Sequence, residues 1–143
     1  MFFPPDPGAR ATLGGMIANN ASGTRTIYYG STKDYVLKLS VVLADGEVIE
    51  LGTRASKTSS GYDLIRLFVG SEGTLGIVVG ATVRLASLPA EFSAAIATFP
   101  SMETAGKAVF EIMRGGLNPA SLELLGPHCI QLMNREENLE LNV

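Results

Sequence analysis

Between Val36 and Gly52 the chain carries the pattern that most restricts its fold. Leu37, Leu39, Val41 and Leu43 alternate with Lys38 and Ser40, the period of a strand with one face in a core. Asp45-Gly46 follows at once, the commonest signal for a two-residue hairpin turn, and Val48, Ile49 and Leu51 supply a return strand. Residues 36 to 52 are therefore expected to form an antiparallel hairpin.

The flanking segments add partners for that hairpin. Gly76 opens a second strong strand, with Ile77, Val79, Ala81, Val83 and Leu85 expected on its core face and Thr82 and Arg84 on the other. Asp63 is placed to cap a short helix whose inward residues are Leu64, Leu67 and Phe68 and which Gly70 stops. Near the start, Pro4-Pro5-Asp6-Pro7-Gly8 fixes several φ angles and reads as a rigid loop. Thr12 then caps a helical turn running through Gly14, Gly15, Met16, Ile17 and Ala18, expected to close at Gly23.

Leu88-Pro89-Ala90-Glu91 breaks the pattern, and we place a domain boundary there, with residues 1–89 in one unit and 90–143 in another. The second unit reads as a strand from Ala94 to Phe99, a helix from Met102 to Arg114, and a strand or helix beyond Pro119. Ser101 caps the helix and Glu103 suits the positive end of its dipole. Met102, Ala105, Ala108, Val109, Ile112 and Met113 make an apolar stripe, expected to be plain core, that ends at Gly115-Gly116. The fold class is α+β.

At 143 residues and 46% hydrophobic the chain can bury a core. A net charge of -3 with scattered Lys and Arg offers no field for a polyanion, so nucleic acid is not expected as a partner. No apolar run approaches the roughly 18 residues of a spanning helix. The opening MFFPPDPGAR is not built like a secretory signal and starts in mid-motif. His128 and Cys129, the only residues of their kinds, supply too few ligands for a metal site. We expect them to be buried and structural.

Two glycine-bearing loops remain as candidates for chemistry: Ala11 to Gly23 and Gly70 to Gly76. Glycines at the start of a short helix leave N–H groups unshielded, which suits a pyrophosphate. A glycine-rich turn feeding a buried strand can bring rigid backbone up to a heterocycle or ribose. Neither loop is a GxGxxG after a strand or a GxxxxGK[ST]. On residue chemistry alone, each reads more readily as turn sequence, and the physics stops at a soluble α+β ligand-binding fragment.

The succession PPDPG (4–8), ATLGGMIANNASG (11–23), YGSTKDYVLKLSVVLADGEVIELG (29–52) and KTSSGYDLIRLFVGSEGTLGIVVGATVRL (57–85) resembles the FAD-linked oxidases of the vanillyl-alcohol-oxidase, or PCMH-type, superfamily. Within it the similarity is strongest to the branch holding cytochrome-linked D-lactate dehydrogenase, the FAD subunit of glycolate oxidase and D-2-hydroxyglutarate dehydrogenase. It is strong over about residues 3–89 and weaker beyond, where the chain resembles the start of an α+β cap domain. The resemblance implies that residues 1–89 are the second of two subdomains that clasp FAD, a mainly antiparallel sheet with helices.

Carried over by position, the resemblance implies cofactor contacts from Asp6, Pro7, Gly8, Ala9 and Thr12 along the flavin and pyrophosphate. Gly14, Gly15 and the stretch Asn19 to Ser22, with Asn19, Ala21 and Ser22 singled out, continue them, and the stretch Glu72 to Val78, with Glu72, Gly73, Leu75, Gly76, Ile77 and Val78 singled out, reaches the ADP half. Leu13 stands where relatives often have isoleucine or valine, and Met16 where asparagine is frequent. No catalytic residue is assigned. The first pyrophosphate loop and the histidine-rich region that binds a divalent metal in relatives have no counterpart here, and His128 does not match the latter.

The parent enzyme so implied oxidises a D-2-hydroxy acid through FAD and passes electrons to a cytochrome, quinone or electron-transfer flavoprotein. Its expected location is cytoplasmic, peripheral to the inner membrane. The chain by itself is expected to be an inactive fragment. The alternative is a truncated domain that folds, or forms a homo-oligomer through exposed apolar surface, without cofactor.

Overall fold

The computed structural model describes residues 1–55 and 57–141. Its centre is a three-stranded antiparallel sheet of β1 (Val36–Val42), β2 (Val48–Gly52) and β3 (Ile77–Val83), ordered β2-β1-β3. The expected hairpin forms, with Leu39 opposite Leu51 and Val42 opposite Val48. Its turn is one residue longer than the two-residue form. The Leu43 N–H donates to the Glu47 carbonyl at 2.8 Å, which leaves Ala44, Asp45 and Gly46 as the loop and puts Gly46 at φ 88°. That left-handed third position is where such a loop needs glycine.

Two short helices, α1 (Leu13–Ala18) and α3 (Leu64–Phe68), cover one face of the sheet. Ile17 from α1 and Ile65, Phe68 and Val69 from the α3 region close a core on Val36, Leu39, Val41 and Leu51. Ile17, Leu39 and Val41 are fully buried, each worth roughly 1.5–3 kcal/mol relative to exposure. The inward face of α3 differs from the expected one. Ile65 and Phe68 point in, while Leu64 and Leu67 are exposed. The Asp63 cap does form, its Oδ1 accepting the Arg66 N–H at 3.2 Å.

Two register shifts in the β1–β3 pairing explain the other departures. One lies between Val36 and Lys38, so Val36 turns inward and Leu37 is only half-buried. The second leaves Val79 unpaired between Gly80, opposite Ser40, and Val78, opposite Val41. A bulge residue reverses the alternation of its strand. Val78 and Val83 pack on the core, while Ile77, Val79, Ala81 and Leu85, expected inside, are exposed, Ile77 and Val79 at 61% each.

Further along, α2 (Thr26–Tyr29) and a 3-10 turn (Thr32–Asp34) join α1 to β1. The N-terminal segment is tied back by a two-way backbone bridge between Phe2 and Ala86, both bonds 2.9 Å. Beyond β3, residues 91–99 form no strand, and Phe92 and Ile96 are 92% and 85% exposed. With no neighbouring strand among the described residues, alternation there has nothing to pair with.

The next helix, α4 (Met102–Arg114), has its expected bounds, and Ser101 Oγ accepts the Thr104 N–H at 3.2 Å. Its stripe is not core as expected: only Ala105 is buried, and Met102 and Met113 are exposed. The segment past Pro119 resolves to α5 (Pro127–Glu137), begun by Pro127 in its first turn. His128 and Cys129 lie on α5 and are exposed, contrary to the buried role expected of them.

Candidate functional site

The two glycine-bearing loops, distant in sequence, are hydrogen-bonded to each other. Gly70 N–H donates to the Ile17 carbonyl at 3.0 Å and Glu72 N–H to the Ala18 carbonyl at 2.9 Å. These bonds satisfy carbonyls that the end of a six-residue helix leaves without intrahelical partners. A cleft of about 210 Å³ lies between the loops, lined by Gly14, Gly15, Ala18, Ser71, Gly73, Gly76, Ile77 and Val78.

No lining residue carries an ionisable side chain, so the cleft offers backbone, small apolar groups and one hydroxyl. Its size is below the roughly 300–1,000 Å³ of a complete small-molecule site. It can grip part of a large ligand. A second hollow of about 190 Å³, lined by Leu13, Gly14, Ile17, Val78, Val79, Gly80 and Ala81, shares Gly14 and Val78 with the first.

The individual glycines play different parts. A β-carbon added at Gly14 would meet nothing within 4 Å, and Gly14 lines both hollows. Glycine in a helix costs about 1 kcal/mol against alanine, and no packing contact here requires it. Gly73 likewise has open space around it and stands at φ 79°. Gly76 is needed for packing, because its β-carbon would lie 2.6 Å from Val41 Cγ1 and 2.7 Å from the Val42 carbonyl oxygen. It lines the cleft with backbone while its missing side chain makes room for β1.

Helix α1 also uses more of its own donors than its glycines suggest. Thr12 Oγ1 accepts the Gly15 N–H at 3.1 Å, and the Thr12 carbonyl accepts the Met16 N–H at 2.9 Å. The helix ends earlier than expected, at Ala18, because Asn20 takes the left-handed conformation at φ 51°. Gly23 serves a separate purpose. The chain through Asp6 passes directly over it, and the Gly23 N–H donates to Thr26 Oγ1 at 2.9 Å.

Of the residues singled out in the sequence, Gly14, Gly15, Gly73, Gly76, Ile77 and Val78 come together at the cleft. Asp6, Pro7, Gly8 and Ala9 lie on an exposed loop that approaches Gly23, with Gly8 N–H bonded to Asp6 Oδ1 at 3.2 Å. Thr12 acts as the α1 cap. Asn19 and Ser22 are exposed at the end of α1, and Ala21 is buried, its carbonyl taken by the Thr32 N–H at 3.0 Å and the Thr32 hydroxyl at 2.7 Å. Glu72 and Leu75 sit on the exposed turn between Ser71 and Gly76. Ala18 and Ser71 line the cleft without having been singled out, although Ala18 is one turn on from Gly14 and shares its helix face.

Behind the site, a polar frame holds the 3-10 turn. Asp34 Oδ2 accepts the Ser31 N–H at 2.9 Å, and its Oδ1 pairs with Arg66 at 3.2 Å. Arg84 donates to the Asp34 carbonyl at 3.2 Å and lies 4.9 Å from the centre of the Tyr35 ring. Burial pushes the Tyr35 hydroxyl pKa up, with the Arg84 charge partly opposing it. Among the described residues no group of three or more His, Cys, Asp and Glu could hold a metal ion, and no helix is long and apolar enough to cross a membrane.

Comparison with known proteins assigns this arrangement to a class. Residues 1–52 match the family described as FAD binding domain, and residues 88–142 match the family of FAD linked oxidases, C-terminal domain. The chain belongs to the FAD-linked oxidases of PCMH type. Among its relatives, the probable mitochondrial D-lactate dehydrogenase of Danio rerio is 44% identical, the match covering 100% of this chain and 29% of that protein. The glycolate oxidase subunit GlcD of Bacillus subtilis is 45% identical over 87% of this chain and 27% of its own length. The mitochondrial D-lactate dehydrogenase [cytochrome] of Arabidopsis thaliana is 40% identical over 94% and 24%.

A solved alkyldihydroxyacetonephosphate synthase superposes with a TM-score of 0.64 at 27% identity, covering 82% of this chain and 21% of that one. The chain thus spans less than a third of the length of the relatives it matches.

Proposed function

We propose that the cleft between α1 and the Gly70–Gly76 loop is part of an FAD site. The observation that carries this is Gly14, a helical glycine that lines both hollows and has open space where a β-carbon would stand, so that no packing contact requires it. Gly14, Gly15, Ala18, Ser71, Gly73 and Gly76 would present backbone and small side chains to one portion of the cofactor. The loop from Asp6 to Thr12 and residues Asn19, Ala21 and Ser22 would extend the contact from the α1 side. Glu72 and Leu75 would do so from the Gly70–Gly76 loop, and Ile77 and Val78 from the start of β3.

The reaction we assign to the whole enzyme is oxidation of a D-2-hydroxy acid of the lactate or glycolate type to the 2-keto acid. FAD supplies the two-electron acceptor for such a reaction, and protein groups orient it. A cytochrome, quinone or electron-transfer flavoprotein would then receive the electrons, in the cytoplasm or at the periphery of the inner membrane. The domain boundary near Pro89 separates the cofactor-holding unit from the start of the substrate-side unit in this reading. Any divalent metal would be held outside the residues of this chain.

This chain contributes part of the cradle and not the chemistry, so the 143-residue chain supplied with FAD should not reduce a dye at the expense of D-lactate or glycolate. Sustained dye reduction dependent on either acid would overturn that assignment.

A further inference from the structure

Resting on the reading of the cleft as an FAD site, we propose that Asn20 is its positioning residue. The Asn20 side chain is engaged by the protein's own backbone and fixes the separation of the two cleft walls. Its Oδ1 accepts the Lys33 N–H at 3.0 Å, anchoring the end of α1 to the 3-10 turn. That anchor holds Asn20 at φ 51°, a conformation that asparagine tolerates better than most residues.

The turn so fixed governs the facing loop. Asn20 N–H donates to the Ile17 carbonyl at 3.2 Å, and the same carbonyl receives Gly70 N–H at 3.0 Å. Gly70 stands at φ 87°, where a β-carbon would lie 3.3 Å from Asn20 Cβ. The Gly70 backbone therefore packs directly against the Asn20 Cβ. One residue from this junction, Ala18 receives Glu72 N–H, and Ala18 and Ser71 both line the cleft. If the turn at Asn20 opens, the wall carrying Ser71 and Gly73 loses its reference to the wall carrying Gly14 and Gly15.

Two substitutions separate this role from general stability. Asn20→Gly keeps access to positive φ and removes the Oδ1 anchor, whereas Asn20→Asp keeps both. Amide hydrogen exchange is followed in the 143-residue chain without cofactor, and FAD affinity by flavin fluorescence titration of the same chain. Asn20→Gly should speed exchange at Gly70 and Glu72 about ten-fold, the effect of losing one ordinary hydrogen bond. Amides of β1 should keep their rates, FAD should bind about ten-fold more weakly, and Asn20→Asp should change neither reading.

Unchanged exchange at Gly70 and Glu72, or equal acceleration in β1, overturns the proposal, as does unchanged FAD affinity beside accelerated exchange. Failure of the FAD reading itself has a different signature: no saturable binding by the unsubstituted chain, or equal binding by Gly14→Leu. In that event the exchange rates at Gly70 and Glu72 still decide whether Asn20 holds the walls together.

Discussion

A β-carbon at Gly23 would lie 1.5 Å from the carbonyl oxygen of Asp6, so the proline-rich loop crosses directly over that glycine. The closeness involves backbone on both sides and cannot be relieved by a rotamer change. Gly23→Ala must displace the loop, at a cost of about 3 kcal/mol. Urea denaturation should show that loss, and limited proteolysis should cleave near Pro7 far faster than in the parent chain. Equal stability and equal cleavage would mean the loop does not pack there.

Gly14 makes the opposite prediction. Because its position is helical and open, Gly14→Ala should raise stability by about 0.5–1 kcal/mol. A melting temperature that falls instead would show that Gly14 is required by packing, and the case for a ligand-driven glycine would go with it.

Gly76 lines the same cleft but answers differently. Gly76→Val drives its side chain into Val41 and the Val42 carbonyl, costing about 3 kcal/mol. The variant should therefore lose cooperative unfolding whether or not FAD is present. A fully stable Gly76→Val chain would contradict the packing assigned to this residue.

On the outer face of the sheet, hydrogen bonds from Lys38 and Ser40 hold the Glu50 carboxyl below the usual carboxylate range. A carboxyl whose folded pKa is depressed stabilises the fold above its unfolded pKa, and that contribution is lost as pH falls through the folded value. Glu50→Gln should therefore flatten the acid side of the stability profile and leave neutral and alkaline behaviour unaltered in shape. Urea midpoints measured from neutral pH downward test this. Parallel acid limbs for the two proteins would rule it out.

Local chemistry made much of the fold legible. The β1–β2 hairpin, the Asp63 and Ser101 caps and the bounds of α4 all depend on neighbouring residues, and each forms. What the sequence hid depends on partners elsewhere in the chain. The face of β3 is misread from its first residue: Ile77, Val79 and Ala81 are exposed while Val78 packs on the core, and the bulge at Val79 that accompanies this leaves no mark in the residues themselves. Similarly, Gly23 resembled a helix terminator, yet Asn20 ends α1 and Gly23 admits Asp6.

The site shows the same division. Its glycines stand out in sequence, but Gly14 opens the cleft while Gly76 admits a strand, and only the surroundings of each β-carbon separate the two. Ser71 emerged as a wall because Gly70 and Glu72, on either side of it, are bonded to the end of α1.

The most direct test of the FAD assignment is a fluorescence titration of FAD with the unsubstituted chain and with Gly14→Leu, which puts a bulky side chain on a residue that lines the cleft and has open space at its β-carbon position. Saturable binding by the first, and its loss in a Gly14→Leu chain that still melts cooperatively, is the predicted result. Equal affinity in the two chains, or no saturable binding by either, would contradict it.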